Sequence, residues 1–596
     1  MTESVNDAFA LFDDATWPDR SALLLTDSQG LVEARSAQDV AMALHALDEG
    51  VAQGLFVAGY CAYELGYCFE PRLQGLLAKD ERPLIRFHMF KTRTRLDAKG
   101  RARWLLERAK GKSFSGKATP SLSAVQHRVK HEQVRKLIGD GDVYQVNLTM
   151  KLLLEGESDS FETYRVLREK ARAGACAFLR FSDEDILSFS PELFFQINGQ
   201  RIRARPMKGT SPRSPRAEDD GDVAVSLAKD EKQRAENLMI VDLLRNDLSR
   251  VSSVGSVEVS DLFTVETFPT FHTLTSGIQG TLAQPARLST ILPALFPCGS
   301  VTGAPKIRAM EIIHEIEDAP RGIYCGAIGY AANDTMAFNV AIRTISVRED
   351  RLEIGVGGGI VWDSEATSEY NECLLKSRFL TDPHEPFRLI ETIRWNEATG
   401  FFLLERHLAR MMRSSRYFGY CFDRDGIVRH LSQVMNGLAG AKRVRLTLGA
   451  RGDTQVEVAD LELHSADHFW RYGIASQRML SNDWRIYHKT TRRELYDQGL
   501  NELKHRFECD EALFLNEREE LTEGSRSNLF IERDGVWLTP PLSSGLLDGC
   551  LRRDMLESGD KRVVEQVLQI GDLSQGTVWF GNSLRGLIRG LPSSVQ

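Results

Sequence analysis

Two sets of side chains in this sequence have the types and spacing to do chemistry. The first is built on acids: Gln233 and Glu236 are three apart, as are Glu369 and Glu372, a spacing that puts each pair on one helical face. Glu236 precedes the apolar run LMIVDLL, and Glu372 precedes Cys373-Leu374-Leu375, so both acids adjoin positions expected to be buried. Carboxylates held there call for a cation, and oxygen ligands completed by water and substrate are the usual Mg²⁺ arrangement. For either pair alone, a solvated helix face is the competing reading. Just before the second pair, Gly355-Val356-Gly357-Gly358-Gly359-Ile360 reads as a strand whose glycines either admit a ligand to the backbone or allow tight packing. Gly299 to Lys306 (GSVTGAPK), followed by a helix, offers an anion-binding helix start but lacks the order of a phosphate-binding loop.

The second set lies further on. His407-Leu408-Ala409-Arg410 puts Arg410 on a helix, and His488-Lys489, Glu523 to Asn528 (EGSRSN) and Gly545 to Arg552 (GLLDGCLR) follow it in order. Singly each is bland; a lysine, a carboxylate and a glycine-flanked helix start in one half of a chain are the parts of a cofactor site.

The elements that must position these residues alternate in type. Ile186 to Ile197 is strand-like, while Asp230 to Arg250 repeats apolar residues at helical spacing. Two breaks interrupt the pattern. Ala109 to Ser121 reads as a surface crossing between subdomains, and Thr381 to Pro386 (TDPHEP) as the main joint. Beyond it, Phe387 to Arg394 and Gly400 to Leu404 read as a hairpin feeding a helix from Glu405 to Phe418, with a second α/β unit from about Ser476. A length of 596 residues against roughly 150 per domain suggests about four folding units. We divide them as 1–120, a core at 121–380, a linker at 381–386, and 387–596.

Composition excludes several classes. With 42% apolar and 27% charged residues, a collagen-like or disordered chain is ruled out. A net charge of −8 gives no general attraction to nucleic acid or anionic membrane. The acidic start MTESVNDAFALFDD is unlike a secretory signal, and no apolar run reaches the roughly 18 residues of a spanning helix. Nine scattered cysteines without a C-x-x-C pair are read as buried free thiols in a reducing cytoplasm.

In sequence order, GDVYQVNLT, SPELFF, PMKGT, RAENLMIVDLLRNDLSRV, GSVTGAPK, YCGAIGY, FNVAIRT and GVGGGIVWDSEATSEYNE resemble the chorismate-utilising enzyme family, from about Val125 to Leu380. GYCAYELGY, Gly59 to Tyr67, is a weaker match to its N-terminal region. The resemblance implies a two-layer α+β fold with chorismate and Mg²⁺ between the layers. It also implies Glu192 as general acid/base, and Glu236, Glu369 and Glu372 as metal ligands. Tyr324, Arg343, Thr302, Gly357 and Gly358 become substrate contacts. Arginine suits a carboxylate through its two-pronged donor geometry. In PMKGT, Lys208 takes the place that anthranilate-forming members fill with alanine. It resembles the members that make 4-amino-4-deoxychorismate, in which the amine attacks ring carbon C2, expels the 4-hydroxyl, and is displaced by ammonia at C4. A desolvated lysine beside an electrophile is a sound nucleophile. The sequence departs from the family at Gln233, often glutamate, and at Thr273, often histidine; structural packing is the expectation for the neighbouring His272.

The second set, from about Phe387 to Gly590, resembles the class IV pyridoxal-phosphate (PLP) enzymes, implying a two-lobed α/β domain. Lys489 becomes the lysine that joins the cofactor, Glu523 the partner of its pyridine nitrogen, and Arg410 with the N–H groups of Cys550 and Leu551 the phosphate site. HKTTRRELYD and Asn582 to Gly586 look most like the lyases of this class that release pyruvate from aminodeoxychorismate; Thr392 is a weaker substrate-side candidate. Together the halves imply Mg²⁺- and PLP-dependent synthesis of 4-aminobenzoate, a folate precursor. The sequence has no G-x-C-x-G glutaminase segment, so ammonia is expected directly or from a separate glutamine amidotransferase subunit. Class IV enzymes often dimerise, which makes a homodimer through this half an expectation by resemblance. The rival is an anthranilate synthase component fused to a class IV aminotransferase.

Overall fold

The computed structural model describes residues 7–17, 20–77, 82–348, 351–381, 387–462, 465 and 467–593. The chain packs as two units, Met1–Pro212 with Ala224–His384, and Arg213–Val223 with Glu385–Gln596. Apart from Thr381, the expected linker 381–386 lies outside the described residues.

The first unit is organised by one continuous ribbon of antiparallel strands. Following the pairings, Gln145–Glu157 joins Arg351–Ile360, then Thr344–Arg348, Asp185–Ser190, Ala175–Arg180 and Phe9–Asp13. The path continues through Ala22–Ala34, Ile85–Leu96, Phe56–Cys61, Ala327–Ala332, Thr335–Val340 and Leu193–Asn198 to Arg201–Arg205 and Phe271–Thr281. Strands consecutive in sequence thus end far apart along the ribbon. Asp185–Ser190 and Leu193–Asn198 are separated only by Pro191 and Glu192, yet they pair in different stretches. Helices pack against the ribbon; Glu231–Ser249 starts at Asp230, whose side chain accepts from Gln233 N–H at 2.8 Å and satisfies one of the helix's open donors.

Phe9 and Phe178 on neighbouring strands and Phe161 and Tyr164 on the helix Ser160–Ala171 form one aromatic cluster. Beside it the Asp13 carboxylate is fully buried, accepting from Arg101 at 3.1 Å and forming a short ion pair with Arg168. Within Ala109 to Ser121, read from sequence as a crossing, Ser115–Pro120 is an added strand paired with Gln145–Glu157. Its small polar residues suit its largely exposed position better than a core.

The second unit holds two sheets. Leu389–Asn396 pairs with the short Gly400–Phe401 and with Ala441–Leu448, which pairs with Thr454–Asp460; the helices Leu404–Phe418 and Arg424–Met435 contribute to the same core. The other sheet closes on itself through Leu521–Gly524, Glu511–Asn516, Phe469–Met479, Gly586–Pro592, Thr577–Asn582 and Asn528–Arg533. The closing pair is Glu523 with Asn528. All nine cysteines are free thiols, but Cys421 is exposed and Cys68 half-buried, against the expectation that all are buried. No helix among the described residues is long and apolar enough to cross a membrane.

Asp13→Ala removes the carboxylate shared by two buried guanidinium groups. It is expected to cost about 3–5 kcal/mol, read as a lower urea midpoint for the first unit's transition.

Candidate active sites

In the first unit, two passages of the chain between distant strands lie side by side. One carries Glu192; the other, between Thr335–Val340 and Thr344–Arg348, carries Arg343. Val340 N–H donates to the Glu192 carbonyl at 3.1 Å and Phe189 N–H to the Arg343 carbonyl at 3.0 Å. Arg343 has φ of 48°, a region non-glycine residues seldom enter and which gathers at functional sites.

Glu192 is 3% exposed and accepts from Ser300 Oγ at 2.6 Å. Burial pushes its carboxyl up to about 7, against the pull of Ser300, the Met207 N–H and Lys208, so its proton can come and go near neutrality. Burial draws the Arg343 guanidinium down to about 10. Its neighbours are the rings of Phe271 and Phe379, at 4.8 and 6.0 Å, and among the described residues it has no carboxylate partner. A half-buried cation of this kind fits an incoming carboxylate.

Lys208, on strand Met207–Pro212, has no ion-pair or hydrogen-bond partner at Nζ among the described residues. Burial lowers its affinity for a proton; Glu236, Glu369 and Glu372 oppose this, and Lys376 adds to it. The glycine strand explains how these groups fit. A methyl group built on Gly359 would stand 2.5 Å from Lys208 Nζ, one on Gly358 2.8 Å from Glu369 Oε2, and one on Gly355 2.1 Å from Tyr324 Cγ. Each glycine therefore makes room for a residue singled out from sequence. Gly357 instead meets Leu148 and Thr149, and its carbonyl accepts from Lys376 Nζ at 2.8 Å.

Glu236, Glu369 and Glu372 all act on Lys208, and oxygen donors of this kind suit a hard divalent cation, but among the described residues their donor atoms do not gather within 4.8 Å of one another. Glu369, held by Ser364 Oγ at 2.8 Å, has its carboxyl pushed up by burial and by Glu372. Burial also works on Glu372, but Lys376, 2.8 Å away, and Lys208 outweigh it and hold that carboxyl below its ordinary value. A shared cation would relieve the repulsion between the two acids, with Glu236 on the helix Glu231–Ser249 as the third donor.

Other sequence candidates are placed less directly. Thr302 is wholly buried and its hydroxyl donates to the Cys298 carbonyl at 2.9 Å; Ser300, two residues earlier, is the residue that reaches Glu192. His272 Nδ1 lies 2.9 Å from Thr267 Oγ1 on the neighbouring strand, in keeping with packing. Gln233 lies against Gly209: a methyl on that glycine would stand 2.9 Å from Gln233 Oε1. Gln145 was missed: its side chain is fully buried, neither amide atom has a partner among the described residues, and it borders the same Gly359 position as Lys208. Its place in GDVYQVNLT was its only sequence signal.

In the second unit, Lys489 Nζ has no ion-pair or hydrogen-bond partner among the described residues. Burial, with Arg493 and Arg410, draws it down to about 8 against the pull of Glu391 and Glu523. Glu523 is 4% exposed and accepts from Tyr496 Oη at 2.6 Å and Leu547 N–H at 3.1 Å. Burial pushes its carboxyl up to about 7, a poise suited to meeting a protonated ring nitrogen. Cys550 and Leu551 begin the helix Cys550–Ser558, whose first N–H groups are open donors. A methyl on Gly549 would stand 1.9 Å from Asn528 Oδ1, so glycine is required there.

Arg410 is braced more firmly than its motif indicated. Its Nε and Nη2 donate to Glu391 at 2.9 and 2.6 Å, and its Nη1 to the Asp548 carbonyl at 3.1 Å. His407 Nδ1 lies 2.6 Å from Glu391 Oε2. Burial opposes charge on both Glu391 and His407, but the cations around Glu391 hold it down at about 2, while Glu391 and Cys550 lift His407 to about 9. Donor atoms of Glu391, His407 and Cys550 lie within 4.8 Å of one another; with Arg410 and protonated His407 already on Glu391, the cluster fits an anion cup rather than a metal centre. Thr392 follows Glu391 on the strand Leu389–Asn396, so alternation turns it from the face Glu391 gives the cup. Glu391 and His407 were also missed, although they adjoin Thr392 and the Arg410 motif.

The chain belongs to the chorismate binding enzyme family, whose model matches residues 8–382. Residues 388–590 match the amino-transferase class IV model, so the second unit carries a class IV domain. The aminodeoxychorismate synthase component 1 of Escherichia coli (strain K12) is 44% identical over 253 residues, 42% of this chain and 56% of that protein. An anthranilate synthase component 1 of Haloarcula marismortui is 39% identical over 249 residues, 42% of this chain and 50% of that protein. The chain thus spans under two thirds of the length of either relative. The crystal structure of anthranilate synthase component I from Streptococcus pneumoniae TIGR4 matches 63% of this chain and 93% of its own, with a TM-score of 0.52 and 26% identity.

Glu192 is raised in the fold, so stability is greatest below about 4.5 and is lost as pH rises through about 7. Glu192→Gln cannot ionise. It is expected to be more stable than the wild type at about pH 8, by up to roughly 3 kcal/mol, and nearly equal at about pH 4. Urea midpoints at the two pH values measure the difference.

Proposed function

We propose that this chain makes 4-aminobenzoate from chorismate in two steps, one in each unit. The observation that carries the reading is Lys208, half-buried, without a partner at Nζ among the described residues, and acting on the Glu192 carboxyl. Lys208 Nζ bonds to ring carbon C2 while the C4–oxygen bond breaks, and Glu192 gives the departing hydroxyl its proton. Ammonia then bonds to C4 as the C2–nitrogen bond breaks, freeing Lys208 and leaving 4-amino-4-deoxychorismate. Arg343 and Tyr324 hold substrate carboxylate. Glu236, Glu369 and Glu372 would hold Mg²⁺, which neutralises and orients the ring carboxylate.

In the second step Lys489 takes the proton from C4, and pyruvate leaves as the ring becomes aromatic. A lysine near 8 is poised for that task. Lys489, Glu523, Arg410 and the N–H groups of Cys550 and Leu551 would hold PLP, which supplies the electron sink. We assign residues 1–120 to a subdomain of the first half and 121–380 to its core. We place the chain in the cytoplasm, on the folate-precursor route, with ammonia from solution or from a separate glutamine amidotransferase subunit, and propose a homodimer through the class IV half.

Incubation with chorismate, Mg²⁺, PLP and ammonium is expected to yield 4-aminobenzoate; 2-aminobenzoate instead would establish the anthranilate reading and overturn this one. Lys489→Ala should accumulate aminodeoxychorismate, whereas Lys208→Ala should lose the first reaction and still convert supplied aminodeoxychorismate. One folded variant losing both would contradict two independent sites. Gly359→Ala puts a methyl where Lys208 Nζ sits. Its turnover of chorismate should fall about 100-fold with supplied aminodeoxychorismate still converted normally, as chromatography of both products would show.

A further inference from the structure

Arg213–Val223 is encoded just after the Lys208 strand but packs as part of the second unit. The segment is clasped on itself. Arg213 donates through Nε and Nη2 to Asp220 Oδ2 at 2.9 and 2.6 Å, and Ser214 N–H donates to Asp220 Oδ1 at 3.0 Å. The buried Arg213 guanidinium lies 3.9 Å from the centre of the Tyr417 ring, and its Nη1 donates to the Tyr417 carbonyl at 2.9 Å. The Tyr417 ring in turn stands 4.4 Å from the ring of His488, the residue before Lys489. His488 Nδ1 is 2.9 Å from Ser414 Oγ, so the imidazole is held on two sides.

A second arm of the same segment reaches the anion cup. Glu218 pairs with Arg413 at 2.9 Å and lies 3.8 Å from Arg553. Arg553 Nε donates to Asp548 at 2.6 Å, and the Asp548 carbonyl accepts from Arg410. Arg216, Ala217 and Glu218 also share a small cavity with Arg410, Ser414 and His488. A segment that only covered apolar surface would have no need of buried charge on an aromatic face, a contact that strengthens as water is excluded.

We propose that Arg213–Val223 is a positioning element of the second unit's cofactor site. Arg213 acts through Tyr417 and His488 on the backbone carrying Lys489, and Glu218 acts through Arg413 and Arg553 on the Asp548 to Arg410 side of the cup. The proposal rests on the reading of Lys489 and Arg410 as residues that hold PLP.

The test uses full-length protein loaded with PLP, following release of the cofactor by its visible absorbance, with thermal unfolding as the folding control. Arg213→Gln and Tyr417→Ala are each expected to speed release about tenfold. Tyr417→Phe, which keeps the ring, should match the wild type, and Glu218→Gln tests the second arm from a less buried position. Wild-type release in Arg213→Gln and Glu218→Gln overturns the proposal, as does Tyr417→Phe releasing as fast as Tyr417→Ala. A wild-type chain that takes up no PLP overturns instead the underlying reading of the site.

Discussion

A lysine that must react cannot also be tied in an ion pair, and the surroundings of Lys208 and Lys489 satisfy that constraint. Acids stand near Lys208 and Lys489, but most of them have another donor. Ser364 holds Glu369 and Lys376 pairs with Glu372; Arg410 and His407 take Glu391, and Tyr496 takes Glu523. Burial then bears on the lysines with only partial compensation, and their protons are held less firmly than usual. Had one of these carboxylates closed on its lysine, the amine would stay charged and chemically inert.

Seating a half-buried lysine without a partner requires backbone that can give way. In the first unit this is the glycine strand Arg351–Ile360, where Lys208, Glu369 and Tyr324 fill positions that side chains would otherwise take. In the second unit Gly549 gives room to Asn528, which donates to Glu523 at 3.3 Å and to the Leu547 carbonyl at 2.9 Å. The net charge of the whole chain says little about either place. Each candidate site has cations of its own, Arg343 and Lys208 in one and Arg410 and His407 in the other, and interactions over a few ångströms in a buried setting outweigh distant surface charge.

The site in the first unit also depends on where the ribbon of strands changes course. Glu192 and Arg343 occupy passages rather than strands, and each carbonyl is held by an N–H of the strand that leads into the other's passage, Val340 for Glu192 and Phe189 for Arg343. Such passages can hold an uncommon conformation, as at Arg343, because the paired strands on either side leave it little alternative.

Much of this was legible in the linear sequence. Helical spacing placed Glu236 and Glu372 beside apolar runs, Gly355 to Ile360 read as a strand open to close approach, and ordered motifs marked Lys208, Lys489 and Glu523. These signals are local, carried by residue types and short spacings that survive whatever the rest of the chain does. What depends on distant partners was not legible. Ser115–Pro120 became a strand because Gln145–Glu157 offered it an edge. Gln145 and Ser300 joined the first site, and Glu391 and His407 braced Arg410, through contacts that no spacing announces. The sequence by itself determined the order and local spacing of the candidate side chains. Only the tertiary structure decided which acids each lysine is denied, and that Arg213–Val223 packs with the second unit, because pairing and burial are set by neighbours in space.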